Sequence, residues 1–318
     1  MARILPVAAR RPVVVGGERP VLAVRQQGES DPDTRGHRPK ASAFGIPLVE
    51  GCDVPKNNGG VLMSMKYNPS IGEIVEFLSE EGAEGFSLEE VEMAEQHLGV
   101  KYPKPYRDYL LRYGKSEAND VFNHIVEPRE EMLTTHEYLA EDDLVEDCAD
   151  EDDPDDIYTK LSHLPQEQWE TVLDNYVLIW FENQGCWSAG YRMKDLQAGI
   201  EDPPIYLSVE DDFVTYKKVS DNLEDFLWEM LREAAFEAPS EVLNEKEEIA
   251  YWMDKLGIDK EKLALEHFEP LNDRKARQGA CLDEEHGRLY FYYERDDSIE
   301  FSCATKDEMD IVFDEDEE

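Results

Sequence analysis

Cysteine is scarce. The five residues Cys52, Cys148, Cys186, Cys281 and Cys303 are odd in number and form no Cys-x-x-Cys pair. That spacing argues against a disulfide-stapled secreted scaffold and a zinc ribbon, and fits structural thiols in a reducing cytosol. No apolar run reaches the ~18 residues of a membrane-spanning helix, so no membrane association is expected. The seven histidines are scattered, and His136-Glu137 lacks the second histidine four residues on that a zincin helix needs. Neither G-x-G-x-x-G, a P-loop nor G-x-S-x-G occurs. No catalytic residue, metal or cofactor is therefore assigned. Positive charge is the other shortage. The first 62 residues carry nine of the 32 Lys and Arg and six of the 74 Asp and Glu, so the remaining 256 hold 23 against 68, a net charge of −45. These few basic residues do not interleave with aromatics, which argues against a nucleic-acid partner. A surface so acidic repels phosphate backbones and attracts basic partners, although acidity also serves solubility alone.

Local chemistry is most explicit between Phe86 and Gly114. Ser87 followed by Glu90 is a capping box. Phe86 and Val91 occupy the two positions of a hydrophobic staple. Leu88, Val91 and Leu98 share one helical face, and Gly99 supplies a left-handed stop. Pro103 and Pro105 bar a helix from crossing the linker. Tyr106, Tyr109, Leu110 and Tyr113 then mark a second helix. Upstream, Ile71, Ile74, Val75 and Leu78 mark another, ending near Gly82.

A second informative segment starts at Tyr176. YVLIWF reads as a strand buried on both faces. Glu182-Asn183-Gln184-Gly185 forms a turn, and CWSAGYRM, from Cys186 to Met193, is the returning strand. Asp202-Pro203-Pro204-Ile205-Tyr206 enters a further strand. Leu223, Phe226 and Leu227 open a closing helix that Ser220 or Asp221 is placed to cap.

This ordered set is S-x-E-E-V-x-x-x-E-x-x-L-G, then Y-P-x-x-Y-x-x-Y-L, an apolar strand with E-N-Q-G, D-P-P-I-Y, and a Ser-Asp-x-Leu-x-x-Phe-Leu helix. It resembles the SUKH superfamily, the group of the yeast Smi/Knr cell-wall regulators and many bacterial immunity proteins. The resemblance covers roughly Ser70 to Phe236. It implies an α+β fold, a mostly antiparallel sheet covered by helices, and a non-enzymatic binding module that holds a cognate toxin domain inactive in the cytosol. The chain departs from the compact family pattern in the long acidic stretch ahead of YVLIWF and in everything after Ala238.

The expected organisation is a leader over residues 1–62, a SUKH-like domain over 63–237 with an acidic loop at 141–156, an α+β extension over 238–306, and an acidic, frayed tail over 307–318. Eleven of the sixteen residues from Glu141 to Asp156 are acidic, leaving too little apolar content to pack, so the stretch reads as a mobile loop. In the extension, Ile249, Trp252, Met253 and Leu256 mark a helix stopped by Gly257, and Lys260 to His267 a short second one. Residues 288–294 and 298–303 form a hairpin, either in a separate subdomain or continuing the main sheet.

For partner contact the hairpin reading selects Glu182, Asp195, Glu201 and Asp202 with Trp187 and Tyr191. The family fixes none of these positions. Trp187 follows the turn and reads equally as core or as an interface anchor. His97, near a helix end, is expected to satisfy local carbonyls. The leading functional reading is an immunity-type protein whose partner is a basic, nuclease-like toxin domain. A regulatory scaffold without a toxin is the alternative, and a histidine–carboxylate enzyme assembled by folding the third.

The leader is rich in Arg, Pro and Gly, and composition changes abruptly at Met63. Gly59-Gly60 is encodable as a purine-rich ribosome-binding sequence two codons ahead of Met63. Translation is therefore expected to start at Met63 or Met65, with a disordered leader as the alternative. Peptide mapping of the natural protein tests this: a peptide from within residues 1–62 overturns the internal start.

Overall fold

The computed structural model describes residues 65–313, except 122, 131, 142–143, 151, 184, 210–211, 238–239, 264, 270–273, 296–297 and 307–311. The leader lies outside the described residues. Residues from Gly60 onward cluster as one unit.

The first elements are β1 (Lys66–Tyr67), α1 (Ile71–Leu78), α2 (Leu88–Leu98) and α3 (Lys104–Tyr113). Both α1 and α2 open on a capping box, Ser70 with Glu73 and Ser87 with Glu90, so two orphan amides are satisfied at each start. The staple residues Phe86 and Val91 are buried. Gly99 closes α2 at φ +67°, a conformation that favours glycine. Proline is tolerated in a helix's first turn, which lets α3 begin at Lys104 with Pro105 inside it.

One expectation fails in α2: Leu88 is 51% exposed. The inward face is instead Val91, Ala94 and Glu95. The Glu95 side chain is fully buried. Its Oε1 accepts from the Tyr102 amide and the Arg107 Nε, both at 3.2 Å, and its Oε2 from Lys101 Nζ at 2.6 Å. One carboxylate thus ties α2, the proline elbow and α3 together.

The chain continues through β2 (Asn123–Ile125), α4 (Thr135–Ala140), α5 (Leu144–Cys148), α6 (Ile157–Ser162), a 3₁₀ helix at Gln166–Thr171, β3 (Tyr176–Glu182), β4 (Ser188–Arg192), α7 (Met193–Gln197), β5 (Ile205–Val209), β6 (Asp212–Ser220) and α8 (Leu223–Glu237). Strands β2 to β6 form an antiparallel sheet in chain order. Helices α1, α2, α3 and α8 share a core with one face of it, where Trp180 meets Phe226 and Tyr191 meets Tyr106 edge-on. On the opposite face α4 brings Tyr138 within 5.7 Å of Phe181. The cap of α8 is Asn222, which accepts from the Asp225 amide at 2.9 Å, and not Ser220 or Asp221.

The remaining elements are β7 (Ser240–Leu243), α9 (Lys246–Lys255), α10 (Lys260–Leu263), β8 (Leu265–Glu269), β9 (Arg274–Asp283), β10 (Arg288–Arg295) and β11 (Ser298–Thr305). His267 therefore stands in a strand, and α10 stops at Leu263. These strands build a second antiparallel sheet, β1-β9-β10-β11-β7, with β8 also on β9. β1 takes Cys281 and Leu282 on β9, while β8 takes Arg274 to Gln278. Between them, a Cβ on Gly279 would lie 1.6 Å from the Leu263 carbonyl oxygen, so only glycine fits.

The expected hairpin is β10–β11, in this second sheet. Ala280, Leu282, Leu289, Phe291 and Ala304 on one face join the core beneath α8. Cys281, Tyr290, Tyr292, Phe301 and Cys303 on the other pack with Trp252 and Met253 of α9. The tail is not wholly frayed. Glu241 Oε2 accepts from the Val312 and Phe313 amides at 2.9 and 2.7 Å, and Phe313 lies against Trp252 and Phe301.

Replacing Glu95 with Ala removes three charge-assisted contacts and leaves a buried amide unsatisfied. The expected loss is about 3 kcal/mol, read as a lower urea midpoint with an unchanged slope.

Candidate interaction surface

The six selected residues do not form one surface. In β4, Ala189 and Tyr191 point to the helices, and strand alternation puts Trp187 on their side. Tyr191 is 0% exposed, its ring 5.8 Å from that of Tyr106, so it offers no contact area. Trp187 is half-buried against the core. Glu182 is buried at the end of β3, where its Oε2 accepts from the Cys186 amide at 3.0 Å and its own amide donates to the Trp187 carbonyl at 3.1 Å. It holds the turn. Asp195 is buried and receives Arg192 through Nε at 3.2 Å and Nη2 at 2.8 Å. Asp202 is half-buried and accepts from the Leu223 amide at 3.2 Å, tying D-P-P-I-Y to the start of α8. Burial pushes its pKa above the usual carboxylate value. Glu201 alone of the six is exposed.

The densest acidity lies elsewhere. Residues 141–170 hold thirteen acids against one basic residue, Lys160. The stretch read as a mobile loop contains α5 and leads into α6. It packs because Leu139, Val145, Leu161, Trp169, Leu173 and Val214 form a core of their own. The sparse apolar residues suffice because they converge from α4, α5, α6, the 3₁₀ helix and β6. The Trp169 indole donates to the Leu161 and Leu164 carbonyls at 3.1 and 3.2 Å. Asp156 caps α6 by accepting from the Thr159 amide at 2.8 Å, and the Thr159 hydroxyl donates to the Asp150 carbonyl at 2.8 Å. Asp150 and Asp153 each accept an amide two residues on. Glu146, Asp147, Asp150, Asp152, Asp153 and Asp155 are all exposed on this frame.

Beside it opens a cleft of about 360 Å³. Its walls come from the end of α2 (His97, Leu98), the start of α4 (Thr134, His136, Glu137), the 3₁₀ helix (Gln166, Glu167, Glu170), Asn175 and α7 (Met193, Gln197). His97 does not serve local carbonyls: its Nε2 lies 2.6 Å from Glu137 Oε1. Glu137 Oε2 accepts from the Leu133 and Thr134 amides, each at 2.9 Å. The His136 amide donates to Asn175 Oδ1 at 3.1 Å, and Gln166 Nε2 donates to the His136 carbonyl at 3.2 Å. The His136 ring packs edge-on to Trp169, and burial holds its pKa below the usual imidazole value. The signal available for this cleft was the capping box Thr134-x-x-Glu137; the forty-residue separation of His97 and Glu137 hid their pairing.

Among the described residues no group of three or more His, Cys, Asp or Glu is placed to hold a metal ion, and no helix is long and apolar enough to cross a membrane.

A carboxylate held far above its ordinary range lines neither this cleft nor the shallow hollow near Glu73 and Lys306. Glu233, on α8, is pushed up to about 7, first by burial and then by neighbouring Glu229, while Asn123 Nδ2 donates to it at 3.0 Å. Its unfolded value lies near 4.5, so the folded chain holds the proton more tightly. Stability therefore falls as pH rises from about 4.5 to 7, and the full penalty of about 3 kcal/mol applies above that window. Glu233→Gln is expected to raise stability at pH 8 by about 2 kcal/mol and to change little near pH 4.5, measured by urea unfolding at both pH values.

The family described as SMI1-KNR4 cell-wall, SUKH_6, matches residues 88–227. The match begins at the first residue of α2, spans the acidic insertion and the whole first sheet, and ends within α8. No curated protein and no solved structure matches the chain.

Proposed function

Since the chain belongs to the SUKH superfamily through residues 88–227, whose domains act as protein-interaction or immunity-type modules, we propose that it is a non-enzymatic cytoplasmic immunity-type protein that neutralises a basic, nuclease-like toxin domain. The observation that carries this is the acidic face at residues 141–170, with one basic residue among thirteen acids and a small core beneath it. A nuclease presents a basic face to bind phosphate, and an acidic protein can occlude it. Opposite fields raise association rates toward ~10⁸–10⁹ M⁻¹s⁻¹ at low salt. Glu146, Asp147, Glu167 and Glu170 stand on helices, and Asp150 and Asp153 are held by hydrogen bonds in the turns that join α5 to α6, which lowers the ordering entropy that opposes binding. The second sheet, which lies outside the matched segment, favours the alternative of a regulatory scaffold without a toxin.

The test is affinity purification of the tagged chain from native cells at low and high salt. A basic toxin domain that is recovered at low salt and lost at high salt supports the immunity reading. Asp152→Asn/Asp153→Asn/Asp155→Asn should then slow association about tenfold at low salt and flatten its salt dependence. Recovery of neutral signalling proteins only, whatever the salt, favours the scaffold.

A further inference from the structure

Within the reading of a basic protein partner, on which this step rests, we propose that the cleft between α2, α4 and the 3₁₀ helix is the receptor for one arginine side chain of that partner.

Shape, hydrogen-bonding capacity and charge agree. Its volume of about 360 Å³ lies at the lower end of the ~300–1,000 Å³ typical of built ligand pockets. Glu167 and Glu170 stand three residues apart on the 3₁₀ helix. Side chains at i and i+3 eclipse in that geometry, so both carboxylates leave one side of the helix. Both are exposed and form no ion pair among the described residues. Glu137 is already committed to His97 and two backbone amides.

His136 supplies an independent observation. It lines the cleft, is 6% exposed, and its Nε2 has no hydrogen-bond partner. Burial keeps the ring neutral, and with the Leu173 backbone taking a hydrogen bond from the ring, the remaining nitrogen is an acceptor. A buried acceptor left unmatched is unfavourable and calls for a donor. Two eclipsed carboxylates line the cleft together with His136, whose unpaired ring nitrogen lies just beneath its wall, and a guanidinium presents donors only. Its planar fork suits paired carboxylates, where an ammonium would engage them as a point charge. Leu98 and Met193 offer apolar surface to the side-chain stem.

The probe is N-acetyl-arginine amide, titrated into the full chain with the Trp169 indole and His136 ring resonances followed by NMR. The isosteric citrulline amide and calcium chloride serve as comparisons. Saturable shifts with arginine alone are expected, weakened about tenfold or more in Glu167→Gln/Glu170→Gln. Both substituted side chains are exposed, so an unchanged thermal midpoint keeps the variant interpretable. Equal binding of citrulline, an equal response to calcium, or undiminished arginine binding by the double variant overturns the proposal. If a basic partner is captured by the double variant as well as by the native chain, the arginine cleft falls and the broader reading stands. If arginine binds as described but no basic partner is recovered, the broader reading falls alone.

Discussion

Helix α8 must be apolar on two sides, because a sheet lies on each. Phe226 meets Trp180 of the first sheet and Trp228 meets Phe291 of the second, both edge-on at about 6 Å. From Leu223 to Ala235, Glu224 alone is exposed. Eight residues of that span are buried, more than the roughly six or seven that a one-sided helix of this length carries. The remaining polar side chains are forced into partly dry surroundings. Arg232 answers this by bridging Glu229 at 2.5 Å and Glu300 of β11 at 3.3 Å. Glu233 answers it by holding its proton to near neutrality. The second sheet is therefore a partner of the first through a common helix layer.

That joint core leaves the far face of the first sheet free for the insertion. Acids on an unstructured loop would lose conformational freedom on meeting a partner. Here part of that freedom is already spent in folding α4, α5, α6 and the 3₁₀ helix over Trp169. Carboxylates gathered on one packed segment favour fast encounter with a basic surface. The cleft at the edge of the same insertion adds shape to that field.

Local signals were the legible part. The capping box of α2, the left-handed stop at Gly99, the buried run of β3 and the β10–β11 hairpin depend on residues a few positions apart. What was hidden depends on distance along the chain. Glu95 reads as an ordinary helical acid until the elbow folds back and brings Lys101, Tyr102 and Arg107 to it. Tyr191 was assigned to a contact surface from the hairpin reading alone; the face it occupies was settled by Tyr106 of α3, eighty-five residues earlier. β1 pairs with β9 across more than two hundred positions, and nothing in Lys66–Tyr67 announces that. The acidic stretch misled by average composition, since six apolar side chains placed to converge outweigh a crowd of solvated carboxylates.

The insertion leaves and rejoins the sheet at one place. The Leu178 amide donates to the Leu133 carbonyl at 2.9 Å, Thr134 bridges to Val177, and the His136 amide donates to the side chain of Asn175. Its two ends are thus already stitched together by the strand they flank, and its small core leans on the sheet through Val214 and Phe213 of β6. A segment with those properties behaves as a cassette. It can be lengthened or recharged while β3 keeps its neighbours, so a change in the exposed face need not disturb the fold beneath it.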